Sequence, residues 1–163
     1  MPSDGSVPLQ TLLLAGTPFN TGLFIAIIAL VIMSGFFSST ETAYSCASRI
    51  KLRTLASNGN KRAKKVLDLA ETNYDKFIST VLIGNNIVNL TATTLATLFF
   101  AELMLNDPSS AIVSTAVMTV AVLIFGEITP KFIAKTYPEK LSCAFYPLIK
   151  FFYYIFYHNR YQF

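Results

Sequence analysis

The chain has 163 residues, of which 53% are hydrophobic and 13% charged, and its net charge is +4 at pH 7. The charged share is about half that of an average soluble domain, and the mean hydropathy is +0.50. This excludes an ordinary soluble domain and points to an integral membrane protein. Two distant cysteines, Cys46 and Cys143, and a single histidine, His158, offer neither a disulfide framework nor a thiolate metal site. No enzymatic activity and no catalytic residue are expected.

Residues 1–20 read as an extracellular segment, and without a basic stretch before the first apolar run no cleavable signal peptide is expected. A bilayer core needs roughly 20 apolar residues per helix, and three segments meet that length. The first runs from about 21 to 47, beginning with "LFIAIIALVIMSGFF" and continuing less hydrophobically through "SSTETAYSCA". The connection that follows, "SRIKLRTLASNGNKRAKKVLDLAETNYDKF", predicts two short amphipathic helices broken at Asn58-Gly59-Asn60. The second span covers 77–100, and Asn106, Asp107 and Pro108 mark a turn before the third, 111–134. Residues 138–163 hold "LSCAFYPLIKFFYYIFY", interrupted by Pro147 and Lys150 and crowded with Phe and Tyr. This reads as a juxtamembrane amphipathic helix lying along the headgroups, with a fourth span as the alternative. The expected fold is therefore all-α and integral to the membrane, with a transmembrane domain at 21–137.

Charge placement sets the orientation. Arg49, Lys51, Arg53, Lys61, Arg62, Lys64, Lys65 and Lys76 lie between the first and second spans. Lys131, Lys135, Lys140, Lys150 and Arg160 follow the core of the third. The N-terminal segment and the short 102–110 connection have none. Positive-inside counting puts the N-terminus outside and the C-terminus in the cytoplasm of a cell or inner membrane. The basic connection reads as a solvated orientation signal touching anionic lipid, and not as a nucleic-acid site.

The spans carry polar residues that lipid does not favour. "LIGNNIVNL" places Asn85, Asn86 and Asn89 in a charge-free run, and each amide must find partners or lose free energy on dehydration. Positions four apart share a helix face, so Asn85 and Asn89 point together and Asn86 is turned aside. Ser34, Ser38, Glu41 and Ser45 form one stripe of the first span, and the third carries Glu127 in "FGEITPK". At a rise of ~1.5 Å per residue, Asn85, Glu127 and Ser38 each lie roughly 10–13 Å from the cytoplasmic end of their spans. Pro130 lacks an N–H, so the carbonyl of Gly126 is expected to lose its helical partner. A carboxylate near the bilayer centre costs ~2.5–3.5 kcal/mol even on the lenient insertion scale, so Glu127 and Glu41 call for a proton, a cation or a partner. Hydroxyl, amide, carboxylate and carbonyl oxygens suit Mg²⁺, Ca²⁺ or Na⁺ and disfavour softer metals.

Plainer readings stand beside this one. Asn and Ser act as interhelical glue in many spans, and Ser39, Thr40 and Thr42 are expected to bond back to their own helix. Pro130 can be a simple kink, and Glu41 can pair with the basic connection. Three helices supplying polar groups at one depth favour an ion site.

"GFFSSTETAYSCASRIKLRTLASNGNKRAKKVL", "FISTVLIGNNIVN" and "FGEITPK" resemble, in order and spacing, the membrane (DUF21) domain of the CNNM/CorC family of magnesium transporters. The resemblance runs from about Gly35 to Pro138. It implies a homodimeric Mg²⁺ exporter coupled to Na⁺ influx, with Ser38, Asn85, Asn89 and Glu127 as ligands of the transported ion. Gly126 through its carbonyl is a further ligand candidate, and Glu41, Ser34, Asn86 and Pro130 are supporting or gating candidates. It also implies cytoplasmic CBS domains that bind ATP; no residue here answers to an ATP site, and the terminal "HNRYQF" is left open between native chain and an added tail. The alternative is a module that senses Mg²⁺ or anchors another transporter without moving ions itself.

Overall fold

The computed structural model describes residues 20–105 and 107–157, with the side chains of 153–157 excepted. The expectations for residues 1–19, Asn106, His158 and Arg160 lie outside the described residues.

The described chain is helical throughout. Three helices are long and apolar enough to cross a membrane: Thr21–Cys46, Tyr74–Leu103 and Ser110–Thr136. The first is α1, Thr21–Cys46, capped where the Asn20 side chain accepts the N–H of Leu23 at 3.2 Å. Ala47 then turns extended, and the Ser48 hydroxyl starts α2, Arg49–Ser57, by accepting the N–H of Lys51. Asn60 caps α3, Lys61–Thr72, accepting the N–H groups of Arg62 and Ala63 at 3.0 and 3.1 Å. These side-chain oxygens satisfy donors that a helix start leaves without partners. The break therefore falls where the Asn-Gly-Asn run predicts it.

The second span is α4, Tyr74–Leu103, extended at both ends beyond the charge-free run. The third begins as α5, Ser110–Ala121, widens into a π-helical segment at Val122–Ile128, and resumes as α6, Thr129–Thr136. The last helix is α7, Pro138–Tyr157, which continues through Pro147. At 20 residues it is long enough for a span but not apolar enough to count as one.

α1 is the hub. It packs against α4, the π segment, α6 and α7, while α5 packs against α4. Its first half bares Phe24, Ile25, Ile28 and Ile32, whereas nearly all of Ser34–Tyr44 is buried. Exposed aliphatics in a span match lipid tails, so contact between helices must come from close packing and hydrogen bonds. Phe37, Tyr44, Phe77 and Val81 supply that packing at the basic end, joined by Leu52, Ala63 and Val66 from α2 and α3 and Ile149 from α7. A separate cluster of Ile27, Ala92, Ala96, Phe99 and Met118 fills the far end. α7 is held by Tyr44, whose hydroxyl donates to the Ser142 carbonyl at 3.2 Å, and by Phe36 against Phe145. Glu139 accepts the N–H of Ser48 and lies 3.6 Å from Lys51, joining α7 to the start of α2.

Candidate functional site

Between the two clusters, α1, α4 and the π segment meet along a polar seam. The Ser34 hydroxyl donates to Asn85 Oδ1 across the α1–α4 boundary at 3.2 Å. The same side chain lies against Gly126, where a Cβ would come within 2.8 Å of Ser34 Oγ. One residue on, a Cβ at Gly35 would meet Pro130 Cγ at 3.0 Å and the Phe125 carbonyl oxygen at 3.1 Å. Paired glycines thus bring the first and third spans into backbone contact, with Asn85 at the joint.

The π segment changes how the proline acts. The Thr129 N–H bonds to the carbonyl of Ile124, five residues back. Carried one residue further, this register pairs Pro130 with Phe125, and proline has no N–H to give. The argument for a proline-released carbonyl therefore moves from Gly126 to Phe125, whose oxygen faces Gly35. Single-turn π segments inside α-helices recur at functional sites. This one re-aims Glu127 relative to a straight helix.

Most hydroxyls in the spans bond into their own backbone. Ser39 donates to the Phe36 carbonyl at 3.0 Å and Thr42 to that of Ser38 at 3.1 Å. Thr40 departs from that expectation, since its buried Oγ1 has no partner among the described residues. Ser38 Oγ and Asn89 Oδ1 share this condition. A buried polar atom without a partner costs roughly 1–3 kcal/mol, so three in one small membrane domain need a reason. Ser38 is one turn from Ser34, and Asn89 one turn from Asn85. Two of the three therefore extend the faces that meet at the Ser34–Asn85 bond.

The other candidates are placed as follows. Glu127 is half-buried and lines a cleft with Thr93, Thr119, Met118, Val122 and Leu123. Glu41 is half-buried toward the basic end, and no ion pair among the described residues involves either carboxylate. Asn86 is exposed and outside the seam. Among the described residues no three His, Cys, Asp or Glu side chains cluster as metal ligands; the seam itself offers hydroxyl and amide oxygens, and Glu127 lies on the cleft beside it.

Sequence reasoning missed the π segment, the Gly35–Pro130 contact and the unpartnered Thr40. Only the π segment had a signal, the proline three residues after Glu127.

Three helices long and apolar enough to cross a membrane, with a polar seam between them, define a polytopic membrane domain. A family profile described as the cyclin M transmembrane N-terminal domain matches residues 25–161. The chain belongs to that family, the CNNM or DUF21 membrane domain. It is 41% identical over 110 residues to the UPF0053 inner membrane protein YfjD of Escherichia coli, covering 68% of this chain and 25% of that protein. A UPF0053 protein of Haemophilus influenzae is 35% identical over 143 residues, 81% of this chain and 33% of the relative. The polyamine export protein of the same organism is 27% identical, covering 81% of this chain and 33% of its own length. The chain thus spans a quarter to a third of these three relatives, and it is a multi-pass membrane protein.

Proposed function

We propose that the seam binds Mg²⁺ as transported substrate and exports it, with Na⁺ entering the same region as the coupling ion. The N-terminus is outside, the C-terminus is cytoplasmic, and two copies form the working unit. The observation that carries this reading is the pair of buried, unpartnered oxygens, Ser38 Oγ and Asn89 Oδ1, beside the Ser34–Asn85 bond. A cation bound there would satisfy atoms that the fold leaves without hydrogen bonds. Mg²⁺ takes six ligands in near-ideal octahedral geometry and gives up its waters reluctantly. A few protein oxygens with some retained water fit it better than a full protein cage. Glu127, the carboxylate of the region, would balance charge in a medium where an isolated ion is costly.

The test is a Mg²⁺ titration of the full-length protein, read by melting temperature, beside flux in liposomes. A ligand at 100 times its Kd stabilises by about 2.7 kcal/mol, so wild type should melt several degrees higher in Mg²⁺. Glu127→Gln should lose most of that shift and the flux with it. Binding without flux would favour a sensor or scaffold. Equal efflux with and without external Na⁺ would remove the coupling.

A second reading comes from the relative named as a polyamine exporter. Ammonium groups also seek acceptor oxygens, so the same seam could hold an organic polycation. Spermidine and Mg²⁺ competing in the titration would separate the two: the ion that shifts the melting temperature at lower concentration is the better candidate.

A further inference from the structure

We infer that a recess at the basic end, between the last turn of α1 and the first turns of α2 and α4, is a phosphate-binding site that takes the headgroup of an anionic lipid. It lies apart from the seam and does not depend on which ion the seam binds. Its volume is about 170 Å³, and Tyr44, Ser45, Arg49 and Tyr74 give it a lining more polar than apolar, over the buried Leu52 and Val66. That volume equals roughly five to six waters at ~30 Å³ each, room for one four-oxygen group with water beside it. Ser45 is one residue from the end of α1, and Tyr74 is the first residue of α4, so the recess sits where these spans leave the hydrocarbon. Tyr and Arg favour that level of a bilayer, where a long side chain keeps its polar tip among the headgroups.

The chemistry of the lining selects an anion. α2 carries three cations, Arg49, Lys51 and Arg53. Arg53 holds Glu71 at 2.7 Å, and Lys51 lies 3.6 Å from Glu139. Arg49 has no ion pair or side-chain hydrogen bond among the described residues. Its five N–H donors form a fork that matches phosphate oxygens two at a time. On the same recess the Ser45 and Tyr74 hydroxyls lie 3.0 Å apart. One proton joins the two, and the second stays free to donate. The Tyr44 proton is committed to the Ser142 carbonyl. No carboxylate lines the recess, and Glu71, next in chain to Ala70 of its wall, is already held by Arg53. The carbonyl end of α1 and the N–H end of α2 meet across Ala47, so their dipoles largely offset each other and Arg49 sets the sign. Free donors and an unpaired guanidinium at headgroup depth fit a phosphodiester, which the basic connection attracts to this surface.

The experiment uses the full-length protein in a phosphate-free detergent. Melting temperature is followed as phosphatidylglycerol is added or, in a separate arm at constant ionic strength, inorganic phosphate. Phosphatidylglycerol should raise the wild-type melting temperature in a saturable way. Arg49→Gln should weaken that response about tenfold in lipid concentration, the size expected for losing a charge-assisted pair. The double variant Ser45→Ala/Tyr74→Phe should weaken it about threefold, as for one neutral donor. Lys61→Gln removes the same charge from an exposed position outside the recess and should leave the response at the wild-type value. An Arg49-dependent shift with inorganic phosphate and none with the lipid keeps the site and makes free phosphate its ligand. No saturable shift in either arm would overturn the proposal. Equal losses in Arg49→Gln and Lys61→Gln would overturn it too, because diffuse attraction to a basic surface would then explain the response. If Arg49→Gln melts lower before any addition, native mass spectrometry of bound lipid makes the same comparison, and lipid retained as in wild type would sink the site.

Discussion

In the buried half of α1, Phe37 and Tyr44 sit in an aromatic cluster whose polar atom, the Tyr44 hydroxyl, is satisfied. Tyr44 stacks near Phe77 with ring centroids 4.3 Å apart and donates its hydroxyl to Ser142, while Phe37 meets Phe152 edge-on at 5.1 Å. Beside them Ser34 and Ser38 are just as deeply buried, at 0% exposure, yet Ser38 Oγ has no partner. Burial alone therefore does not separate scaffold from site. What separates them is whether the buried oxygens are used, because leaving one unused in a dry interior costs free energy that packing elsewhere must offset. The aromatic groups supply that offset, and the polar groups spend it on readiness for a ligand.

The largest effect should come from breaking the aromatic cluster. Phe37 is 2% exposed and its ring touches the Cα face of Gly84, where a Cβ would lie 2.8 Å away. Phe→Ala in a soluble core costs about 3–5 kcal/mol. In a span the transfer share shrinks, because lipid is as apolar as the core, so about 3 kcal/mol is expected for Phe37→Ala. Melting with and without Mg²⁺ checks it: both values should fall together, leaving the Mg²⁺ shift intact. A shift that vanished would show that the aromatic and polar groups of α1 are one unit.

Gly126→Ala attacks the joint of the seam. The new methyl would meet Ser34 Oγ at 2.8 Å, and the hydroxyl must turn away and release Asn85. Loss of one hydrogen bond with mild overpacking predicts about 1–2 kcal/mol of destabilisation. Here the Mg²⁺ response should weaken as well, a pattern opposite to that of Phe37→Ala.

Ser38→Ala gives a smaller change in stability and a sharper contrast. Removing an unpartnered hydroxyl leaves nothing unsatisfied, so the Mg²⁺-free protein should melt at the wild-type temperature or slightly above it. The Mg²⁺ shift should be strongly reduced. A clear destabilisation without Mg²⁺ would mean that Ser38 has a structural bond, and the comparison between the aromatic and polar groups would lose its basis.

The parts that sequence could reveal are those set by composition over many residues. The charge-free runs located α1 and α4 because lipid tolerates little else, and Asn60 announced α3 because a cap is a local event. The face shared by Ser34 and Ser38 was readable from spacing, as was the divergence of Asn86 from Asn85. Beyond the hint of Pro130 the π segment was not readable, because one extra residue in a turn barely alters hydropathy or the run of apolar positions around Phe125. Nor was the approach of Gly35 to Pro130, which depends on where two helices cross, 95 residues apart in sequence. Thr40 escaped for a related reason: back-bonding is the common fate of a threonine in a helix, and only its neighbours decide otherwise.

The mildest test lies at the far end, on a carboxylate whose bonds are all in place. Asp107 accepts the N–H of Ser109 at 2.8 Å and the Ser109 hydroxyl as well, just before α5 begins. These bonds, the hydroxyl's first, favour the charged form and hold its pKa below the ordinary carboxylate value. A group depressed on folding contributes stability at pH values above its unfolded pKa, near 3.9 for Asp, and loses it as pH falls through the folded value. Asp107→Asn should therefore lower the melting temperature by a degree or less at pH 7, and the gap to wild type should close as pH is taken below about 4. Its Mg²⁺ shift at pH 7 should match wild type, because Asp107 lies in the connection before α5 and outside the seam. If Asp107→Asn instead abolished that shift, distant charge and not the unpartnered oxygens of the seam would govern the response, and the difference between the aromatic and polar groups of α1 would have to be explained by packing alone.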